Sequence, residues 1–268
     1  MASKADIPIV ILCGGMGMRL KEETEFRPKP MVEVGHYPIL WHIMKLYADH
    51  GFHRFILCLG FRGDVIRNYF ATYHLQTCDT EVVLGDTPGL RILSRNSVEN
   101  WRITLAETGR KTQTGARIKR IEKYVDTDEF MVTYGDAVTD LDLDRLWEFH
   151  KNHGGLATVT GVHPPARFGE LEIDGDRVVD FAEKPLGKNW ISGGFFIFKK
   201  EYFSYLSADE NCVMEAEPMM RLAQEGQLHV YQHHGFWQCM DTMRDLTYLR
   251  SFEDGKEPWF QKKKTQWA

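Results

Sequence analysis

The chain has 268 residues, with 33 lysines and arginines against 38 aspartates and glutamates, and a formal net charge of −5. Hydrophobic residues make up 43% and charged residues 26%, the balance of an ordinary soluble protein long enough to bury a core in one large α/β domain. The acidic balance speaks against nucleic acid as a partner, and no apolar run is long enough to span a bilayer. Five cysteines without a C-x-x-C pair speak against a disulfide framework or zinc site and predict a cytoplasmic protein.

Ile9-Val10-Ile11-Leu12 is an apolar run of the kind that forms a buried parallel strand. It leads into Cys13-Gly14-Gly15-Met16-Gly17-Met18-Arg19-Leu20. Glycines there allow a tight turn and bare N–H groups for a ligand, and Arg19 adds a planar fork suited to phosphate. In Arg27-Pro28-Lys29-Pro30-Met31, two prolines bracket Lys29 and fix its backbone. A glycine loop and cations at a strand end mark the ligand position of open α/β sheets. No Lys-Ser or Lys-Thr follows the glycines, which excludes a P-loop, and Leu20 stands where a dinucleotide fingerprint needs its third glycine. A plain glycine turn closing a strand stays open.

Apolar spacing then predicts helices over 37–50 and 64–73 and strands over 54–60 and 81–84, an alternation that implies a parallel sheet. Residues 85–116 read as an inserted loop region, interrupted by one strand over 101–107. Its last part, 107–117, is either a polar loop entering a helix over 117–125 or a binding loop. A strand over 130–134 delivers Asp136, either to the ligand position or as a cap. Asp140, Asp142 and Asp144 lead a helix over 143–153, with His150 and His153 expected on its solvated face. A strand over 155–162 is followed by a hairpin over 168–182, centred on Asp174-Gly175. Next come a strand over 190–199 opening on Gly193-Gly194, a helix over 215–226 and a strand over 228–232. His233 and His234 are expected on a solvated strand edge. Asp241 caps a helix over 242–252, binds a ligand, or does both, and Lys262, Lys263 and Lys264 read as a solvated tail.

Several of these stretches resemble the sugar-1-phosphate nucleotidyltransferases: L-C-G-G-M-G-M-R-L at 12–20, P-K-P-M at 28–31, Y-G-D at 134–136, E-K-P at 183–185, G-G-F at 193–195 and W-x-x-x-D ending at Asp241. The family usually has threonine where this chain has Met18. The 107–117 loop resembles the cytidylyltransferase version of the base-reading loop. The resemblance implies a Rossmann-like three-layer α/β fold, of the nucleotide-diphospho-sugar transferase type, as a single domain over 1–268. It implies CTP and α-D-glucose 1-phosphate as substrates, CDP-glucose and pyrophosphate as products, Mg2+ as cofactor, and a homo-oligomer, trimer or hexamer. It assigns catalysis to Arg19, Lys29, Asp136 and Asp241, with the metal on Asp136 and Asp241. Nucleotide contacts fall to Leu12, Cys13, Gly14, Gly15, Met16, Gly17, Met18, Arg19, Lys29, Thr112, Gly115, Arg117 and Asp136. Sugar-phosphate contacts fall to Glu183, Lys184 and Gly194. The competing readings are another acceptor or base such as UTP or dTTP, an inactive sugar-nucleotide sensor, and a dehydrogenase.

Overall fold

A computed structural model describes residues 3–84, 88–94, 99–164, 169–182, 189–252 and 255–260. Strand β1 (Pro8–Leu12) leads through the glycine loop to a one-turn helix α1 (Lys21–Thr24), a short ladder of β2 (Glu33–Val34) and β3 (Tyr37–Pro38), helix α2 (Ile39–Asp49) and strand β4 (Arg54–Leu59). Helices α3 (Gly63–Ala71) and α4 (Tyr73–Thr77) precede a hairpin of β5 (Thr80–Val83) and β6 (Gly89–Ile92). Then come β7 (Arg102–Glu107), α5 (Thr114–Arg120), β8 (Glu129–Tyr134), β9 (Ala137–Thr139) and α6 (Leu143–His153). The remainder holds β10 (Ala157–Val162), the hairpin of β11 (Glu170–Asp174) and β12 (Arg177–Ala182), β13 (Ile191–Lys199), α7 (Glu217–Gln224), β14 (Leu228–Gln232), β15 (Trp237–Cys239) and α8 (Met243–Arg250).

Seven strands form the main sheet, in the order β14-β10-β13-β8-β1-β4-β7, and every one but β13 points the same way. Successive side chains of a strand point to opposite faces. Ile9 and Ile11 therefore pack with Leu40, Ile43 and Met44 of α2 on one side, while Val10 and Leu12 pack with Ile118 and Ile121 on the other. The layers are helix, sheet, helix, as the resemblance implies.

The chain steps from β1 to β4 to β7 on one side, then returns to lay β8 against the other flank of β1. Such a reversal opens a crevice at the C-terminal strand ends. Leu12 stands opposite both Cys58 and Tyr134, so the loops after β1, β4 and β8 leave the sheet at one level.

Some expectations are corrected. The strand expected at 81–84 pairs only with β6, outside the main sheet, and β7 takes the edge place beside β4. Residues 102–107 therefore belong to the sheet framework. The helix expected over 117–125 starts earlier, at Thr114, and gives way to a 3-10 turn over Glu122–Tyr124. His150 is fully buried, because α6 packs onto β10: its Nδ1 lies 2.8 Å from Thr158 Oγ1, and His153 Nε2 lies 2.7 Å from the same hydroxyl. Burial, then the neighbouring His153, pushes the His150 pKa down to about 3. His233 is likewise tied in, with Nε2 3.0 Å from Asp140. Asp142 caps α6, accepting the N–H groups of Asp144 and Arg145 at 3.0 Å. Glu183, Lys184 and the lysines at 262–264 lie outside the described residues. Among the described residues no helix is long and apolar enough to cross a membrane.

Candidate active site

The glycine loop is shaped from below by an arginine. Arg117, on α5, is buried, and its guanidinium donates to Gly14 O and Leu59 O, each at 3.0 Å, and to Thr108 Oγ1 at 2.8 Å. A Cβ on Gly14 would stand 2.1 Å from Arg117 Nη1, and one on Gly60 2.6 Å from the same atom. The guanidinium passing between the loops crowds both glycines, and a Cβ on Gly60 would also meet the Gly109 and Gly14 carbonyls at 2.8 Å; at Gly14, sequence reading assigns this packing demand to a ligand. Burial lowers the pKa of Arg117. Its side-chain hydrogen-bond partners among the described residues are carbonyls and a hydroxyl, which carry no formal charge, so its positive field reaches the loop above. Gly17, at φ 60°, turns the chain into the 3-10 turn that carries Met18 and Arg19.

Lys29 sits in a 3-10 turn, Lys29–Met31, entered from Pro28. Its Nζ lies 2.6 Å from Asp136 Oδ2 and 2.5 Å from Asp241 Oδ1, and Arg19 Nη1 lies 2.9 Å from Asp241 Oδ2. Burial disfavours the charge on Lys29, but Asp136 and then Asp241 outweigh it and hold its pKa above the usual lysine value. The two acids come from distant stretches. Asp136 follows β8, while Asp241 follows β15. The β9–β15 ladder and the Met240 N–H donating to Asp136 O at 2.8 Å hold them side by side.

The capping alternative for Asp241 fails. Thr242 is the N-cap of α8, and Asp245 completes a capping box with it. Asp245 Oδ2 also accepts the Asp241 N–H at 3.1 Å, which leaves the Asp241 carboxylate to the two cations.

Around this centre opens a cleft of about 480 Å³. Leu12, Cys13, Gly14, Gly15, Gly17, Met18, Arg19, Lys29, Thr112, Arg117 and Asp136 line it. Of the other expected residues, Asp241 reaches this centre through its ion pairs but is not part of that lining, and neither is Met16, which is 51% exposed. Gly115 is turned away: its missing Cβ would meet Cys212 Sγ at 2.7 Å, so it serves the packing of α5 on 212–214. Gly194, at φ 79°, makes room for the Tyr134 ring, which a Cβ would meet at 2.4 Å.

Sequence reading misses the residues that brace this wall. Tyr134 lines the cleft and donates its hydroxyl to Glu215. Thr114 Oγ1 donates to Glu215 Oε2 at 2.5 Å and accepts the Met214 N–H at 3.0 Å. Gln113, also in the lining, donates its N–H to Glu210 O at 2.8 Å. No local pattern pairs Tyr134 with a glutamate 81 residues later.

Burial pushes the Cys13 thiol well above its ordinary pKa and the Cys58 thiol up to about 12, so neither is a thiolate nucleophile. Two carboxylate oxygens converging on one cation form a hard donor set that suits a divalent ion such as Mg2+ with phosphate and water as further ligands. A second grouping, His50, Asp142 and Asp144, is accounted for by the cap of α6 and by the pairing of Asp144 with Lys4 and His50.

The sequence profile of the family described as Nucleotidyl transferase matches residues 9–252, from β1 through α8. The chain belongs to that family. The glucose-1-phosphate cytidylyltransferase of Salmonella typhi is 47% identical over 253 residues, covering 93% of this chain and 97% of the relative. A mannose-1-phosphate guanyltransferase of Aspergillus oryzae is 27% identical, over 88% of this chain and 61% of the relative. Among solved structures, a UDP-glucose pyrophosphorylase complexed with UDP-glucose matches with a TM-score of 0.66 at 14% identity, covering 91% of this chain and 97% of that one. The inositol-1-phosphate CTP transferase of T. maritima matches at 0.61 and 14% identity, over 92% and 97%. At these identities the structural matches bear on the fold, and agree with the three-layer architecture.

Proposed function

We propose that this nucleotidyl transferase is a glucose-1-phosphate cytidylyltransferase: a phosphate oxygen of α-D-glucose 1-phosphate attacks the α-phosphorus of CTP, giving CDP-glucose and pyrophosphate. The observation that carries the reading is Lys29 held between Asp136 and Asp241 at the strand reversal, in a chain 47% identical to proteins of that name. The nucleophile is already an anion at neutral pH, so the reaction needs positioning and charge neutralisation more than a base. N–H groups of the glycine loop, with Arg117 beneath them, hold the triphosphate. Arg19 accompanies the departing pyrophosphate, and Lys29 neutralises the α-phosphate as charge shifts there. Asp136 and Asp241 would hold Mg2+, which supplies Lewis-acid stabilisation of the charge shared by the two substrates. Lys184 grips the sugar phosphate, Glu183 and the Gly194 backbone meet sugar hydroxyls, and Thr112 borders the nucleotide.

The reading carries with it a homo-oligomer, a trimer or hexamer. Exposed apolar side chains on the two hairpins, Val82 and Leu90 on one and Leu171 and Phe181 on the other, are surface that such an assembly would cover. Sedimentation of the purified chain measures it.

The deciding experiment is pyrophosphate release from CTP, UTP, dTTP, ATP and GTP against a set of sugar 1-phosphates with Mg2+. CTP with glucose 1-phosphate is expected to be the best pair. Release from a different pair moves the substrate assignment within the family. Binding of sugar nucleotides without release from any pair makes the chain a sensor.

A further inference from the structure

A second cavity, of about 770 Å³, backs onto the Lys29–Met31 turn: Lys29 and Pro30 line the cleft, while Met31 lines the cavity. Its wall is aromatic. Tyr37 stacks on Trp41 with ring centroids 3.9 Å apart, the Trp41 indole donates to Tyr73 OH at 2.9 Å, and Tyr69 meets the Tyr73 ring edge-on at 5.7 Å. The rings come from β3, α2, α3 and α4, so four elements fix the shape before any ligand arrives.

Among the described residues the charged groups of the lining are Glu33, Glu99 and Lys45, with His36 at their side. The Lys45 ammonium pairs with Asp49 at 2.8 Å, and it still acts on Glu99, where it opposes the rise that burial causes. Glu33 meets Arg27 only at 3.8 Å. Glu99 is half-buried, and desolvation raises its pKa. Carboxylates and aromatic faces both attract positive charge. The same field repels nucleotides and sugar phosphates, the ligands proposed for the cleft. We propose that this cavity binds an organic cation of the oligoamine class, its methylene chain lying on the aromatic faces and its ammonium groups on Glu33 and Glu99. The volume is that of an ordinary small-molecule pocket.

The test is calorimetric titration of the full chain with spermidine at low ionic strength, with maltose as the neutral comparison. One saturable site per chain is expected, weakened about tenfold by Glu99→Gln and by Tyr37→Ala. Tyr37 is 36% exposed, so its truncation leaves the core intact, and melting curves of both variants check this. Glu81→Gln, on the β5–β6 hairpin, is expected to bind as the parent does. The proposal is overturned if spermidine shows no saturation. It is also overturned if Tyr37→Ala binds unchanged, which would mean diffuse attraction to an acidic chain, or if maltose binds the site and spermidine does not.

Discussion

Lys29 reaches both strand-end acids, Asp136 and Asp241, at once. Replacing Asp136 or Asp241 by Asn removes one carboxylate where charge develops. Turnover is expected to fall at least a hundredfold, about 3 kcal/mol, with the melting temperature little changed. Near-parental Mg2+-dependent rates in either variant would remove that acid from the site. Lys29→Ala is expected to act mainly on kcat and Lys184→Ala mainly on KM for the sugar phosphate, since only the first group meets charge that shifts in the transition state. Arg117 gives a sharper test of packing. Gly14→Ala drives a methyl into its guanidinium and is expected to raise KM for CTP strongly. In the Arg117→Ala background the same change is expected to cost almost nothing more, because the two residues meet at one place. Full additivity would mean that Gly14 serves the ligand directly. Arg19, Lys29 and Asp136 were legible in the chain because each sits in a short motif beside a strand end. The duty of Arg117 was not, because its partners Leu59, Thr108 and Gly14 are assembled only by the sheet.

At the level of elements, α8 begins where the site ends. Asp245 closes the capping box and also accepts the Asp241 N–H. Asp245→Ala and Thr242→Ala each lose cap bonds and are expected to cost about 1 kcal/mol of stability in denaturant melts. Only the Asp245 change also frees the backbone at Asp241. It is expected to lose distinctly more kcat than Thr242→Ala, and equal losses would uncouple the cap from the site. Periodicity located most helices to within a few residues. It could not tell that 81–84 stands apart while 102–107 joins the sheet, because strand partnership is decided by contacts far along the chain. Nor could it tell a buried histidine from a solvated one: His150 is held against Thr158 of β10, a partner that the spacing of its own helix does not reveal.

Across the whole molecule, buried imidazoles contribute to the loss of stability in acid. His150 in the unfolded chain titrates near 6.5, whereas in the folded chain it stays neutral down to about 3. Between those values unfolding takes up a proton. The contribution of this residue is therefore fully present above pH 6.5 and drains as the pH falls toward 3, by ~5 kcal/mol; His153, also lowered by burial and then by His229, works in the same direction. Urea midpoints measured from pH 7.5 to pH 4.5 are expected to drop, and His150→Asn is expected to flatten that drop. Base choice also belongs to this scale, since the cleft draws on β1, α5 and β8 together. At least a tenfold preference for CTP over UTP is expected, about the cost of one unsatisfied polar group. Met18→Thr is expected to change kcat modestly and leave that preference alone, because Met18 stands 66% exposed beside Arg19.

The ion pairs of Lys29 make the resting site an interlock. Its ammonium sits on the two carboxylates proposed to hold the divalent ion, so on that reading a bare ion must compete with a charge tethered in place. The triphosphate is the natural release: Lys29 can pass to phosphate only as the carboxylates become free. Nucleotide and metal then reinforce one another, and the reinforcement must be equal in both directions. Calorimetry is expected to show feeble Mg2+ binding to the chain alone and a marked gain when CTP is present. Lys29→Met is expected to tighten the binding of Mg2+ alone while reducing that gain. Equal Mg2+ affinity with and without CTP would break the interlock. On the proposed reading, such a lock would leave the acids closed to stray cations until the nucleotide arrives.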